Sequence, residues 1–269
     1  MDTRPIGIMD SGFGGLTAAR EILRSYPQES ILFFGDNGRA PYGVHTLEEV
    51  AAMTQQDLDF LISKNVKAII IACGTATSSI PLLTHKYPVP VVGVIDCSVQ
   101  VAASATKNKK IGIIGTPLTI QVGKYANALT QILPDCQIFS VACPKLVLLV
   151  EAGKTDPQSH DVKSVVEGYL RPIREAGVDT LILGCTHFPV LSAAIKAYMG
   201  DGVTLINAGR QAAVCAMEQL TAADAIHDGT GRTLRFLTSG NAANFVRIGS
   251  NFVGCPLDGL VEHASAEEF

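Results

Sequence analysis

The strongest constraint on this chain is the alternation of short Ile- and Val-rich runs with stretches of helical periodicity. Apolar runs at 6–9, 31–34, 68–72, 89–95, 111–114, 137–141, 180–183 and 203–206 read as strands. Between most of them, 16–25, 46–64, 120–133, 159–176 and 189–198 carry apolar residues at three- and four-residue intervals and read as helices. Strands that are apolar along their whole length and separated by helices predict an α/β protein, with parallel sheet covered on both faces. With 269 residues, 47% of them hydrophobic, the chain exceeds a single minimal domain, so one compact body or two tightly packed lobes is expected.

The pattern also repeats. Ile6-Gly7-Ile8-Met9-Asp10-Ser11-Gly12 is echoed by Ile111-Gly112-Ile113-Ile114-Gly115-Thr116-Pro117. Later in each half a strand ends in a small residue, a cysteine and a nearby threonine: Ala72-Cys73-Gly74-Thr75 and Gly184-Cys185-Thr186-His187. If the halves fold alike, both cysteines lie at the carboxyl ends of equivalent strands, where open α/β sheets place their ligands. The expected division is 1–96 with 209–269 for the first lobe and 97–208 for the second, with the thiols aimed at one shared cleft.

Taken singly, Cys73 reads as a buried, inert thiol, since free cysteine is among the most buried residue types. The second cysteine, flanked by Thr186 and His187, changes that weighing. Inversion of a carbon by two bases requires one group on each face, a thiolate to take the proton and a thiol to return one. Such a site calls for lowered thiol pKa values, supplied by helix N-termini and by neighbours such as His187, with Asp10 as a candidate assistant at the other cysteine.

Two loops offer polar rims to such a cleft. Asp10-Ser11-Gly12-Phe13-Gly14-Gly15-Leu16-Thr17 joins a strand to a helix, and its amides are placed to receive an anion. Thr17 stands where a dinucleotide fingerprint needs its last glycine, so a small carboxylate suits it better than a pyrophosphate. In Gly35-Asp36-Asn37-Gly38-Arg39-Ala40-Pro41-Tyr42-Gly43, Asp36 and Arg39 read as a pair or as solvated charges. Glu151 ends an apolar stretch and reads as a helix-end carboxylate. His45, His85, His160, His227 and His263 lack ligand-like spacing and read as surface or packing residues.

Other function classes are disfavoured. A net charge of -4 with scattered Lys and Arg offers no basic stripe for nucleic acid. The longest apolar runs fall far short of the roughly 20 residues that cross a bilayer. The N-terminus lacks the pattern of a signal peptide, so a cytoplasmic protein with no membrane partner is expected. Seven cysteines without a Cys-x-x-Cys suggest neither a disulfide framework nor a zinc knuckle.

These segments resemble the glutamate racemases of the aspartate/glutamate racemase superfamily. The similarity runs through 6–17, 34–43, 70–78, 91–94, 111–117, 142–153, 181–191 and 238–240, with Phe252-Val253-Gly254 at the end, in the family's order. It implies two flavodoxin-like α/β lobes related by a pseudo-twofold axis, with the active site in the cleft between them. It further implies no pyridoxal phosphate or other cofactor, no metal, and production of D-glutamate for peptidoglycan and the cell wall. Carried over to this chain, the bases are Cys73 and Cys185, assisted by Asp10 and His187. Substrate is held by Asp10, Ser11, Tyr42, Gly43, the position of Gly74, Thr75, Thr186 and His187, and Asp36 and Glu151 fall at or near the site. A homo-oligomer, in the simplest case a dimer, completes the expectation.

The chain departs from the family at Gly74, where Asn is usual, at Asp96-Cys97, where Glu-Pro is usual, and at Asn207, where Asp is common. Loss of an amide at 74 is expected to weaken substrate binding, and Gly74→Asn to raise kcat/KM. Two other readings stay open: a racemase for aspartate or another small acidic amino acid, and a ligand-binding homologue that Gly74 has impaired.

Overall fold

The computed structural model describes residues 2–227 and 229–267. The first lobe contributes strands β1 (Ile6–Asp10), β2 (Ile31–Gly35), β3 (Ala68–Ile71) and β4 (Val91–Gly93), and the second contributes β5 (Lys110–Gly115), β6 (Gln137–Ala142), β7 (Thr180–Leu183) and β8 (Thr204–Asn207). The chain then returns to the first sheet as β9 (Leu234–Thr238) and β10 (Val261–His263). Strand order is β10-β9-β2-β1-β3-β4 in one sheet and β6-β5-β7-β8 in the other, with every pairing parallel. The same second-first-third-fourth order therefore occurs twice, and the sequence echo between β1 and β5 reflects equivalent central strands.

The helices are α1 (Leu16–Ser25), α2 (Leu47–Ser63), α3 (Gly74–Ser79), α4 (Val94–Ala105), α5 (Pro117–Val122), α6 (Lys124–Ile132), α7 (Pro144–Glu151), α8 (His160–Glu175), α9 (Ser192–Met199), α10 (Ala208–Ala222) and α11 (Ala242–Val253). Helix α2 starts where Thr46 and Glu49 form a reciprocal capping box, which satisfies two amides of the first turn. Helices α4 and α10 carry the chain between the two sheets and pack on each other. Central strands β1, β3 and β7 are buried at every residue, the result of cover on both faces.

Three expected elements are corrected. The run 89–95 is strand only to Gly93, because Val94 and Ile95 turn into α4 and bury themselves in its first turn. The helix expected over 120–133 is two helices, broken where Gly123 adopts φ +69°, a left-handed conformation that suits glycine. The helix expected over 189–198 begins as a 3₁₀ turn, Phe188–Leu191, before α9. Among the described residues, no helix is long and apolar enough to cross a membrane.

Candidate active site

Each cysteine follows its strand by two residues: Cys73 comes after β3 and Cys185 after β7, both beside the central strand of their sheet. Both thiols line one cavity of about 660 Å³ at the carboxyl ends of the strands. Ser11, Tyr42, Gly43, Gly74 and Thr75 line it from the first lobe, and Thr186, His187 and Glu151 from the second. The repeat thus delivers one cysteine from each half to a common space, as its spacing predicted.

The two thiols have unlike surroundings. Cys73 caps the N-terminus of α3, accepting from the Ala76 amide at 3.4 Å, and its Sγ lies 3.3 Å from Ser11 Oγ. Burial, and after it the nearby Asp10 carboxylate, push the Cys73 thiol up to about 12 against these two stabilising contacts. The expectation of a lowered pKa is therefore corrected for Cys73, because loss of hydration outweighs two weak hydrogen bonds. Cys185 instead has Nδ1 of His187 at 3.8 Å.

His187 is the charge that balances the second lobe's side. Burial works against its cationic form, but the Cys185 thiol, the Glu151 carboxylate and Asp10 more than offset that and raise it to about 10. Its Nε2 stands 3.3 Å from Glu151 Oε1, in ion-pair reach yet out of line for a hydrogen bond. Glu151 ends α7 and is half-exposed at the cavity, so the helix-end reading and the site reading both describe it.

Two expected site residues stand behind the wall. Asp10 is fully buried, accepting from the Gly12 amide at 2.8 Å and from Thr186 Oγ1 of the other lobe at 3.1 Å. Burial raises its pKa, opposed by the His187 charge and by these donors. The Gly-rich loop expected to cradle an anion thus spends amide donors on its own carboxylate. Asp36 likewise does not line the cavity, being paired with Arg39 at 2.6 Å and hydrogen-bonded by Tyr42 and by Ser239.

Gly74 sits where the lobes nearly touch. A Cβ there would lie 2.3 Å from the Gly184 carbonyl oxygen, which no unshifted backbone accommodates. Gly74→Asn therefore needs a shift of one lobe against the other before its amide can serve, which opposes the expected gain.

Some site residues escaped sequence reasoning. Thr116 lines the cavity and its hydroxyl joins Thr75 at 2.9 Å and Thr119 at 2.9 Å, while Thr75 and Thr119 are 3.2 Å apart. The signal was present, since Thr116 occupies the place of Ser11 in the repeat. Arg247 and Asn244 of α11 line the cavity as well, from a helix with no counterpart in the second lobe. Among the described residues no cluster of three or more His, Cys, Asp or Glu is placed to hold a metal.

Two parallel-sheet lobes that bring a thiol from each strand end to one cleft define an amino-acid racemase architecture. The model of the Asp/Glu/Hydantoin racemase family matches residues 6–216, and the chain belongs to that family. It is 40% identical to the glutamate racemase of Beutenbergia cavernae over 96% of this chain and 92% of that one. Its structure is similar to that of a glutamate racemase from Bacillus anthracis, with a TM-score of 0.92 and 36% identity over 98% of both chains. The glutamate racemase of Francisella tularensis in complex with D-glutamate gives a TM-score of 0.91 and 30% identity over 100% of both.

Proposed function

We propose that this protein interconverts L- and D-glutamate with Cys73 and Cys185 as its two bases, without a cofactor. The observation that carries the reading is the delivery of one thiol from each repeat to a single cavity. In one direction the Cys185 thiolate, with protonated His187 beside it, takes the α-proton: the Cα–H bond breaks, an S–H bond forms, and the electron pair stays on the planar carbon. Cys73 then gives its proton to the opposite face. In the other direction the roles reverse, and the ammonium of the bound amino acid brings positive charge to the space between the thiols. Ser11, Tyr42, Gly43, Thr75 and Thr186 hold the substrate, while Asp10 orients Thr186 and His187 from behind.

The same proposal places the chain in the cytoplasm as a supplier of D-glutamate for peptidoglycan, as a homo-oligomer with lobes formed by 1–96 with 209–269 and by 97–208. Sedimentation measures the assembly. The catalytic reading is tested by incubating the protein with each enantiomer of glutamate, and of aspartate, in deuterated water after dialysis against chelator. Optical activity should be lost and deuterium should enter Cα for glutamate. Cys73→Ala and Cys185→Ala should each abolish racemisation in a folded protein. Deuterium entry into aspartate in preference to glutamate would transfer the proposal to aspartate, and no entry into either would leave a binding protein.

A further inference from the structure

Asp57 of α2 belongs to no expected site, lines no part of the cavity, and is fully buried. Its Oδ2 lies 2.9 Å from the Tyr42 phenol, and its Oδ1 accepts from Arg39 Nη2 at 2.6 Å. The same phenol is hydrogen-bonded to Asp36 Oδ2, which also accepts from Arg39 Nε at 2.6 Å. Asp36 Oδ1 accepts from Ser239 Oγ at 2.6 Å, and Arg39 Nη1 donates to Gln56. One guanidinium and one phenol therefore sit between two buried carboxyl groups.

Proton counting decides the state of this cluster. A phenol carries one hydrogen, yet two carboxyl oxygens approach the Tyr42 oxygen within hydrogen-bond distance. Both contacts are satisfied only if one carboxyl group is an acid that donates to the phenol while the phenol donates to the other. Asp36 collects donors from Arg39, Tyr42 and Ser239, whereas Asp57 has one clear donor, Arg39. Burial, and then the Asp36 charge, push Asp57 well above the usual carboxylate range. With Asp36 ionised, Arg39 cationic and Asp57 neutral, the buried cluster carries no net charge, and two ionised carboxylates on one guanidinium would not.

Tyr42 and Gly43 face the cavity from the turn that this cluster anchors, and the turn presses against the second lobe at Thr116. We propose that Asp57 is a positioning residue for racemisation: a neutral carboxylic acid that donates to the Tyr42 oxygen and fixes the Tyr42–Gly43 turn against the substrate. The inference rests on the function proposed above. It concerns the shape of the binding end of the cavity and leaves the proton transfers to the thiols.

The test compares Asp57→Asn with Asp57→Ala. Asparagine offers an N–H to the phenol and a carbonyl to Arg39, so KM for glutamate should stay within about threefold of the parent, while alanine should raise KM about tenfold or more with a smaller change in kcat. In the infrared spectrum the parent should show the carbonyl stretch of a protonated carboxylic acid that shifts in deuterated water and is lost in Asp57→Asn. A folded Asp57→Ala with the parent KM, an Asn variant as damaged as the Ala variant, or absence of the infrared band would each overturn the proposal. If Asp57→Ala does not fold, the Asn variant and the infrared band decide. A parent that shows the band but racemises nothing would instead sink the proposed function, so the two failures are distinguishable.

Discussion

The thiol of Cys185 lies 3.8 Å from Nδ1 of His187, whereas Cys73, at the matching strand end, has Ser11 Oγ at 3.3 Å and an amide at 3.4 Å. The repeat is symmetric in backbone and asymmetric in electrostatics. An imidazolium stabilises a thiolate far more than a neutral hydroxyl does, and burial with the nearby Asp10 carboxylate pushes the Cys73 thiol up to about 12.

Alkylation measures this asymmetry directly. The two thiols are 6% and 7% exposed, so access does not separate them, and what differs is the charge beside each, His187 at Cys185 and Asp10 at Cys73. At neutral pH iodoacetamide should modify Cys185 at least about tenfold faster than Cys73, scored by mass spectrometry of the two peptides with exposed Cys255 as reference. His187→Asn should remove the difference. Equal rates in the parent would contradict the assignment of charge.

His187 also predicts a pH dependence of stability. Its folded-state pKa is raised from 6.5 to about 10, so its contribution is fully present below about 6.5 and lost as pH rises through about 10. Urea unfolding at a series of pH values should show the parent losing stability across that window more steeply than His187→Gln. Turnover should respond unequally as well. The direction in which Cys73 is the base should speed up with rising pH, because its thiol is pushed up to about 12. Identical pH profiles of kcat for D- and L-glutamate would refute this, whereas kcat/KM must match at every pH because the enantiomers have equal free energy.

The parts that could be read in the sequence are those encoded by adjacent residues. Ala72-Cys73-Gly74 and Gly184-Cys185-Thr186 mark strand ends locally, and β1 and β5 announce the repeat through their shared Ile-Gly-Ile. Helix α10 escaped because its buried face is mostly Ala and Gly, Ala208, Gly209, Ala212, Ala213 and Ala216, which give little hydrophobic contrast. The Asp57 cluster escaped for a different reason: Asp36, Arg39 and Tyr42 come together with Asp57 only once α2 packs on the first sheet. Gly74 was legible as a departure, but its cause, a carbonyl more than a hundred residues away, was not.

Stability and catalysis should separate at the opposite end of the first sheet. Lys67 and Glu29, both fully buried, pair at 2.7 Å just before β3 and β2, at the amino ends of the strands and away from the cavity. Lys67 also donates to the carbonyls of Asp2 and Ala225, and Glu29 accepts from the His227 amide. Removing one partner strands a buried charge, so Lys67→Met should cost about 3–5 kcal/mol in urea unfolding, and adding Glu29→Leu should recover part of it. Substrate turnover of the folded fraction should be unchanged. A loss of kcat with intact stability would show that this pair reaches the site.

Gly74 leaves no room for a side chain between the lobes. A side chain here meets the Gly184 carbonyl at 2.3 Å, and that carbonyl belongs to the residue immediately before Cys185. Relief therefore requires either opening of the two lobes or displacement of the strand end that carries a catalytic thiol. Gly74→Ala adds one carbon and no polar group, so it isolates the steric effect. It should lower stability by about 1–3 kcal/mol, the range for overpacking a tight contact, and reduce kcat more than it raises KM, because thiol placement rather than affinity is disturbed. Gly74→Asn should do the same, its amide unable to compensate for a shifted Cys185. Kinetics and urea unfolding of the parent and both variants decide the matter. A folded Gly74→Asn with kcat/KM above the parent and unchanged stability would mean that the lobes separate freely at this point, and that the missing amide, not the close approach, governs the position.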